Sequence, residues 1–200
     1  MKKYSIKGEN IINVPNVLSM YRLLVSPVIL YFALTYNEKW FVILICISLV
    51  TDILDGNIAR IYKLQTNFGA ALDNLADMFT FAMALLGLVL FRWTEIQPHA
   101  WLLYLFLGIF VLSYIVGFSR FGKIPGLHLY GAVIAGYLQG LFFFVLFLYG
   151  FYPWLYYLAV GWGILAYIEK IIVLWRLDDI RIGVKGLYWM MKEDAEESVH

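Results

Sequence analysis

Six apolar stretches dominate this 200-residue chain, each about twenty residues long, the length of helix that crosses the hydrocarbon core of a bilayer. They run approximately Val17–Tyr36, Trp40–Tyr62, Phe68–Phe91, His99–Phe118, Leu127–Phe151 and Trp154–Trp175. In lipid, a spanning segment has to satisfy its own backbone polar groups, which makes each of these stretches helical. The pattern therefore predicts an all-α, polytopic membrane protein with six transmembrane helices. Composition agrees: 62% of residues are hydrophobic and 14% charged, against roughly half and a quarter in soluble domains. The chain reads as one membrane domain. Residues 1–16 form a surface segment with Asn16 capping the first helix, residues 17–176 a six-helix core, and residues 177–200 a tail. The N-terminus is polar and basic, without the short apolar core of a signal peptide. Cys46, the one cysteine, lies in an apolar run and reads as a packing residue.

Lysine and arginine set the orientation. An even number of spans leaves both ends on one side. On that side fall thirteen of the 15 basic residues, all but Lys39 and Arg92. The positive-inside rule then predicts cytoplasmic termini in a multi-pass membrane protein. It also places the end of the second span and the start of the third at the cytoplasmic face.

That face carries four aspartates, Asp52, Asp55, Asp73 and Asp77, spaced three and four residues apart within each span. Such spacings put each pair on one helical face. Ionisable groups at membrane depth are costly and mark a working site, and four carboxylates at one level need cations. Hard carboxylate oxygens suit Mg²⁺, Mn²⁺ or Ca²⁺, and no His or Cys interrupts the run to favour a softer metal. Four carboxylates suffice for two divalent ions that bridge a diphosphate. Gly56 and Gly69 allow close approach to the backbone, and Arg60 can offer a planar fork of donors to a phosphate. The site would open towards the compartment that holds nucleotides.

The string Asp52-x-x-Asp55-Gly56-x-x-Ala59-Arg60, eight residues, Gly69-x-x-x-Asp73-x-x-x-Asp77 resembles the signature of the CDP-alcohol phosphotransferase family at every fixed position. Six spans and a length near 200 residues resemble that family's membrane core. Asn13-Val14-Pro15-Asn16-Val17-Leu18-Ser19-x-x-Arg22, followed by Pro27, is similar to the segment before the motif in bacterial members that use CDP-diacylglycerol, with Ser19 where Thr is commoner. The resemblance implies a homodimer and two Mg²⁺ ions, with Mn²⁺ as a substitute. It makes Asp52, Asp55 and Asp73 mainly metal ligands. Asp77 becomes the general base, also touching one metal. Asp55, Gly56, Ala59 and Arg60 would line the cytidine diphosphate pocket, and Gly69 would make room for the nucleotide. The implied reaction transfers a phosphatidyl group from CDP-diacylglycerol to the hydroxyl of a small polar alcohol and releases cytidine monophosphate.

The acceptor is less legible. Arg22, Arg120, Lys123 and His128 are candidates for holding an acceptor or a lipid phosphate. The basic cluster Arg120, Lys123 and His128 favours a phosphorylated acceptor such as glycerol 3-phosphate or inositol phosphate. Gly122-Lys123 is followed by Ile124-Pro125-Gly126 without the Thr of glycerophosphate-type relatives, so serine and phosphatidylglycerol stay open. The reversed reaction, CDP-choline or CDP-ethanolamine with diacylglycerol, is the alternative within the same chemistry. A reading from a different class is an intramembrane ion carrier, which would release no cytidine monophosphate. Membrane lipids are expected partners; nucleic acid is not. Glu169 and Lys170, low in the sixth span, either pair locally or complete the pocket.

Overall fold

The computed structural model describes residues 13–62, 64, 66–122, 129–177 and 186–197, without the side chains of Arg60, Asn67 and residues 193–197. Each long apolar run forms a helix. These are α1 (Val14–Leu34), α2 (Glu38–Ile61), α3 (Asn67–Phe91), α5 (Ala100–Phe121), α6 (Tyr130–Tyr149) and α7 (Pro153–Arg176). Between α3 and α5 a single turn, α4 (Trp93–Ile96), leads into a 3₁₀ turn at Gln97–His99, where the sequence suggested only a connector. After α7 comes α8 (Leu187–Glu197). Among the described residues six helices are long and apolar enough to cross a membrane, and the protein is an integral, multi-pass one.

Helix starts follow local chemistry. Asn13, not Asn16, caps α1: its side chain accepts the Asn16 backbone N–H at 2.9 Å, and Pro15 occupies the first turn, where its missing donor costs nothing. The first helix thus begins at Val14 and carries Asn16 inside it, buried. Asn37 caps α2 through the Trp40 N–H, and Glu38 adds a favourable negative charge in its first turn. Thr66 caps α3 by accepting the Gly69 N–H at 2.9 Å.

The helices group into two units, Met1–Glu95 and Ile96–His200. In the first, α1 packs against both α2 and α3, which touch each other less. Its interior holds polar groups beside apolar ones such as Ile29, Phe41, Ile45 and Leu88. Asn16, Ser19, Arg22, Ser26, Ser48, Asp55 and Thr80 are buried, whereas Leu24, Tyr31, Leu34 and Ile61 are exposed. Ionisable and polar groups turned inward, with large apolar side chains on the outside, is the arrangement a bilayer favours.

In the second unit α7 packs against both α5 and α6. Phe106, Phe142, Phe143, Leu146 and Tyr156 are buried there. The Tyr156 hydroxyl donates to the His99 carbonyl at 2.9 Å, and His99 Nδ1 lies 2.7 Å from the Tyr157 hydroxyl. Leu129, Val173, Leu174 and Leu177 form a buried cluster that Leu187 and Met190 of α8 cover. Glu169 accepts the Leu187 N–H at 2.9 Å, capping the first turn of α8 with a carboxylate. Lys170 is buried, with Nζ 4.6 Å from the Tyr114 ring centre and 5.4 Å from that of Tyr167. The two residues the sequence left undecided therefore make local contacts within this unit.

Candidate active site

The four aspartates come from two helices running in opposite directions through one short loop, and their levels match in pairs. At 1.5 Å per residue, Asp55 lies about 9 Å from the end of α2 and Asp73 about 9 Å from the start of α3. Asp52 and Asp77 lie about 14–15 Å from the same ends. The carboxylates thus form a shallow pair and a deep pair.

Arg22 of α1, eight residues beyond Val14, reaches between them. Its side chain is 0% exposed. Nη2 donates to the shallow pair, Asp55 Oδ2 at 2.7 Å and Asp73 Oδ1 at 2.6 Å. Nη1 donates to the deep pair, Asp77 Oδ1 at 2.6 Å and Asp52 Oδ1. Ser19, one turn before Arg22, lies within hydrogen-bonding distance of Asp55 Oδ2 (3.1 Å), Asp73 Oδ1 (3.5 Å) and the Pro15 carbonyl (3.2 Å). A guanidinium fork suits such planar, multiple recognition; an ammonium would not reach both pairs. Among the described side chains one arginine faces four aspartates, which leaves three formal negative charges for further cations to offset.

The donor set fits a hard divalent ion. Asp52, Asp55 and Asp73 each offer an oxygen, and these oxygens all lie within 4.8 Å of one another. Asp55 is 2% exposed, and its Oδ1 has no hydrogen-bond partner among the described residues. A buried carboxylate oxygen without a partner is costly unless something else binds it. Asp77 stands outside this threesome and is the most open of the four, at 48% exposed.

Of the other residues singled out in the sequence, Gly56 and Ala59 continue the Asp52–Asp55 face of α2 by one turn. Gly69 is buried where α3 meets α1. A Cβ there would clash with Asn16 Oδ1 and stand 2.8 Å from Thr66 Oγ1. The close approach at Gly69 is therefore made by the Asn16 amide of the same chain, a contact the sequence did not reveal. Replacing Gly69 by Ala gains at most about 1 kcal/mol of helix propensity, whereas overpacking costs roughly 1–3 kcal/mol. Gly69→Ala should lower the melting temperature in a thermal unfolding scan; an unchanged value would mean that Asn16 turns aside freely.

Arg22, expected to serve an acceptor or lipid phosphate, has both terminal nitrogens engaged by carboxylates. Arg120 is exposed on α5, in the second unit, with its guanidinium 5.8 Å from the Trp175 ring centre. Lys123, His128 and the Arg60 side chain lie outside the described residues.

Comparison with known proteins gives one family. A model of the CDP-alcohol phosphatidyltransferase family matches residues 12–174. Among curated relatives, a CDP-diacylglycerol--glycerol-3-phosphate 3-phosphatidyltransferase of Aquifex aeolicus is 42% identical over 87 residues, 43% of this chain and 48% of that protein. A protein of the same description from Cereibacter sphaeroides is 37% identical over 82 residues, covering 39% and 36%. A cardiolipin synthase (CMP-forming) of Streptomyces coelicolor is 31% identical over 99 residues, covering 46% and 45%. In each case the chain spans less than half the length of the relative. No solved structure matches.

Proposed function

The chain belongs to the CDP-alcohol phosphatidyltransferase family, and on that premise we propose that it transfers a phosphatidyl group from CDP-diacylglycerol to the hydroxyl of a small alcohol, releasing cytidine monophosphate. The observation that carries the reading is the gathering of Asp52, Asp55 and Asp73 around one point, with the buried Asp55 Oδ1 left without a partner. Glycerol 3-phosphate is the first acceptor, the alcohol in the description of two of the relatives. Phosphatidylglycerol is second, supported by the relative described as a cardiolipin synthase.

In this reading Asp52, Asp55 and Asp73 hold Mg²⁺. When bound, divalent ions stabilise negative charge on the diphosphate and its leaving group. Gly56, Ala59 and Arg60 line the nucleotide pocket. The acceptor oxygen attacks the phosphorus next to the lipid, the bond from that phosphorus to the cytidine monophosphate oxygen breaks, and Asp77 takes the hydroxyl proton. The position of Asp77 outside the metal-ligand group, with nearly half its side chain open, supports that assignment. Holding the hydroxyl and the phosphorus in line supplies much of the rate. The basic residues of the sequence favour cytoplasmic termini and a site open to the cytoplasm, and the bacterial relatives favour an inner-membrane location. Arg120, Lys123 and His128 serve the acceptor, and the working form is a homodimer.

An acceptor panel tests the assignment. Purified protein in detergent receives CDP-diacylglycerol, Mg²⁺ and, in turn, glycerol 3-phosphate, inositol phosphate, inositol, serine or phosphatidylglycerol, with lipid products identified by mass spectrometry. Phosphatidylglycerophosphate formation is the expected result. Cardiolipin alone would move the assignment to the second acceptor. Products only from CDP-choline or CDP-ethanolamine with diacylglycerol would overturn the donor.

A further inference from the structure

We infer that Arg22 is the internal counter-cation of the carboxylate site, and that it competes with divalent metal for the same carboxylates. The inference rests on the metal reading of Asp52, Asp55 and Asp73 given above. Each aspartate gives one oxygen to the guanidinium: Asp52 Oδ1, Asp55 Oδ2, Asp73 Oδ1 and Asp77 Oδ1. Those donations point the carboxylates at Arg22. A small divalent ion draws its oxygens to about 2.0–2.1 Å in near-octahedral directions, so gathering Asp52, Asp55 and Asp73 on one ion pulls against their bonds to the guanidinium and sets a second positive charge beside it.

The surroundings of Arg22 fit a group held by the carboxylates alone. Its Nε is buried and has no hydrogen-bond partner among the described residues. Among the described residues, therefore, no second anchor holds the guanidinium where it is. Its base on α1 is firm by contrast: Ser26 donates to the Arg22 carbonyl at 2.7 Å, and Ser19 packs one turn below. The arginine can yield its carboxylates without disturbing the helix. Without metal, Arg22 keeps four aspartates from repelling one another; with metal, it becomes surplus positive charge beside the ions. It thereby lowers metal affinity and keeps the site ordered between loadings.

The test measures metal binding and stability rather than turnover. Mn²⁺ binding to the full chain in detergent, without substrate, is followed by paramagnetic resonance for wild type, Arg22→Gln and Arg22→Ala, alongside metal-free melting temperatures. Arg22→Gln should bind Mn²⁺ about tenfold or more tightly, a change of roughly 1.4 kcal/mol, and should melt lower than wild type when metal-free. Low millimolar guanidinium should raise the metal-free melting temperature of Arg22→Ala and weaken its Mn²⁺ binding competitively, with neither effect on wild type. The guanidinium titration uses whatever fraction of the variant folds, so poor expression does not void it. Tight wild-type binding that weakens in Arg22→Gln, with no response to guanidinium, would overturn the competition while leaving the metal site standing. An absence of Mn²⁺ binding in every protein would overturn the metal reading, and the role of Arg22 with it.

Discussion

Asp77→Asn is expected to lower turnover by about 10³-fold while leaving binding of the cytidine nucleotide nearly unchanged. A positioned general base contributes roughly 10²–10⁴-fold, and asparagine keeps the oxygen that Arg22 contacts while losing the ability to take a proton. The same change at a metal ligand should behave differently, since binding and turnover would fall together. Asp77 lies apart from the three oxygens within 4.8 Å of one another and is the most open of the four carboxylates, which is why the two effects should separate there. Steady-state kinetics paired with nucleotide titration by calorimetry checks this. Loss of nucleotide binding with retained turnover would remove Asp77 from the role of base.

Asp55→Asn should abolish measurable transfer and weaken Mn²⁺ binding at least about tenfold, yet leave the metal-free protein as stable as wild type or more so. The sign follows from the charges. Asp55 has Asp52 and Asp73 oxygens within 4.8 Å; at an effective dielectric near 20 each such pair costs roughly 3–4 kcal/mol. Together with Asp77 they match or exceed the attraction of one guanidinium at 2.7 Å. Removing a charge relieves the site, and the amide can still accept from Arg22 and Ser19. Function at this position is thus bought against stability. Metal-free thermal unfolding alongside Mn²⁺ titration reads both effects. A large fall in metal-free melting temperature with unchanged Mn²⁺ affinity would make Asp55 a structural partner of Arg22 first.

The helices and the contacts between them differ in how far they are legible in the sequence. Six helices were legible because a membrane span announces itself by length and apolarity, whatever its neighbours. The four aspartates were legible because three- and four-residue spacings fix a helical face locally. The start of α1 was missed by three residues: two asparagines flank Val14 and Pro15, and only the geometry shows that Asn13 makes the capping bond.

Arg22 shows why the rest was hidden. In sequence it is one more basic residue near a helix end, where the positive-inside rule expects one. Its partners lie 30 to 55 residues away, and contacts between helices leave no trace in local spacing. Gly69 is similar. Its small size was legible, but that the space belongs to Asn16 depends on how α1 meets α3. Glu169, acidic and low in a span, reads from sequence equally as a local partner or a pocket residue; its bond to the first N–H of α8, 18 residues on, makes it a helix cap.

The most direct test of the central claim follows cytidine monophosphate release from CDP-diacylglycerol by the purified chain after chelator stripping, with glycerol 3-phosphate present and Mg²⁺ then added back. No release is expected without metal, with restoration on addition of Mg²⁺ and no restoration in Asp55→Asn. Release that persists through chelation, or that Asp55→Asn supports at the wild-type rate, would contradict that claim.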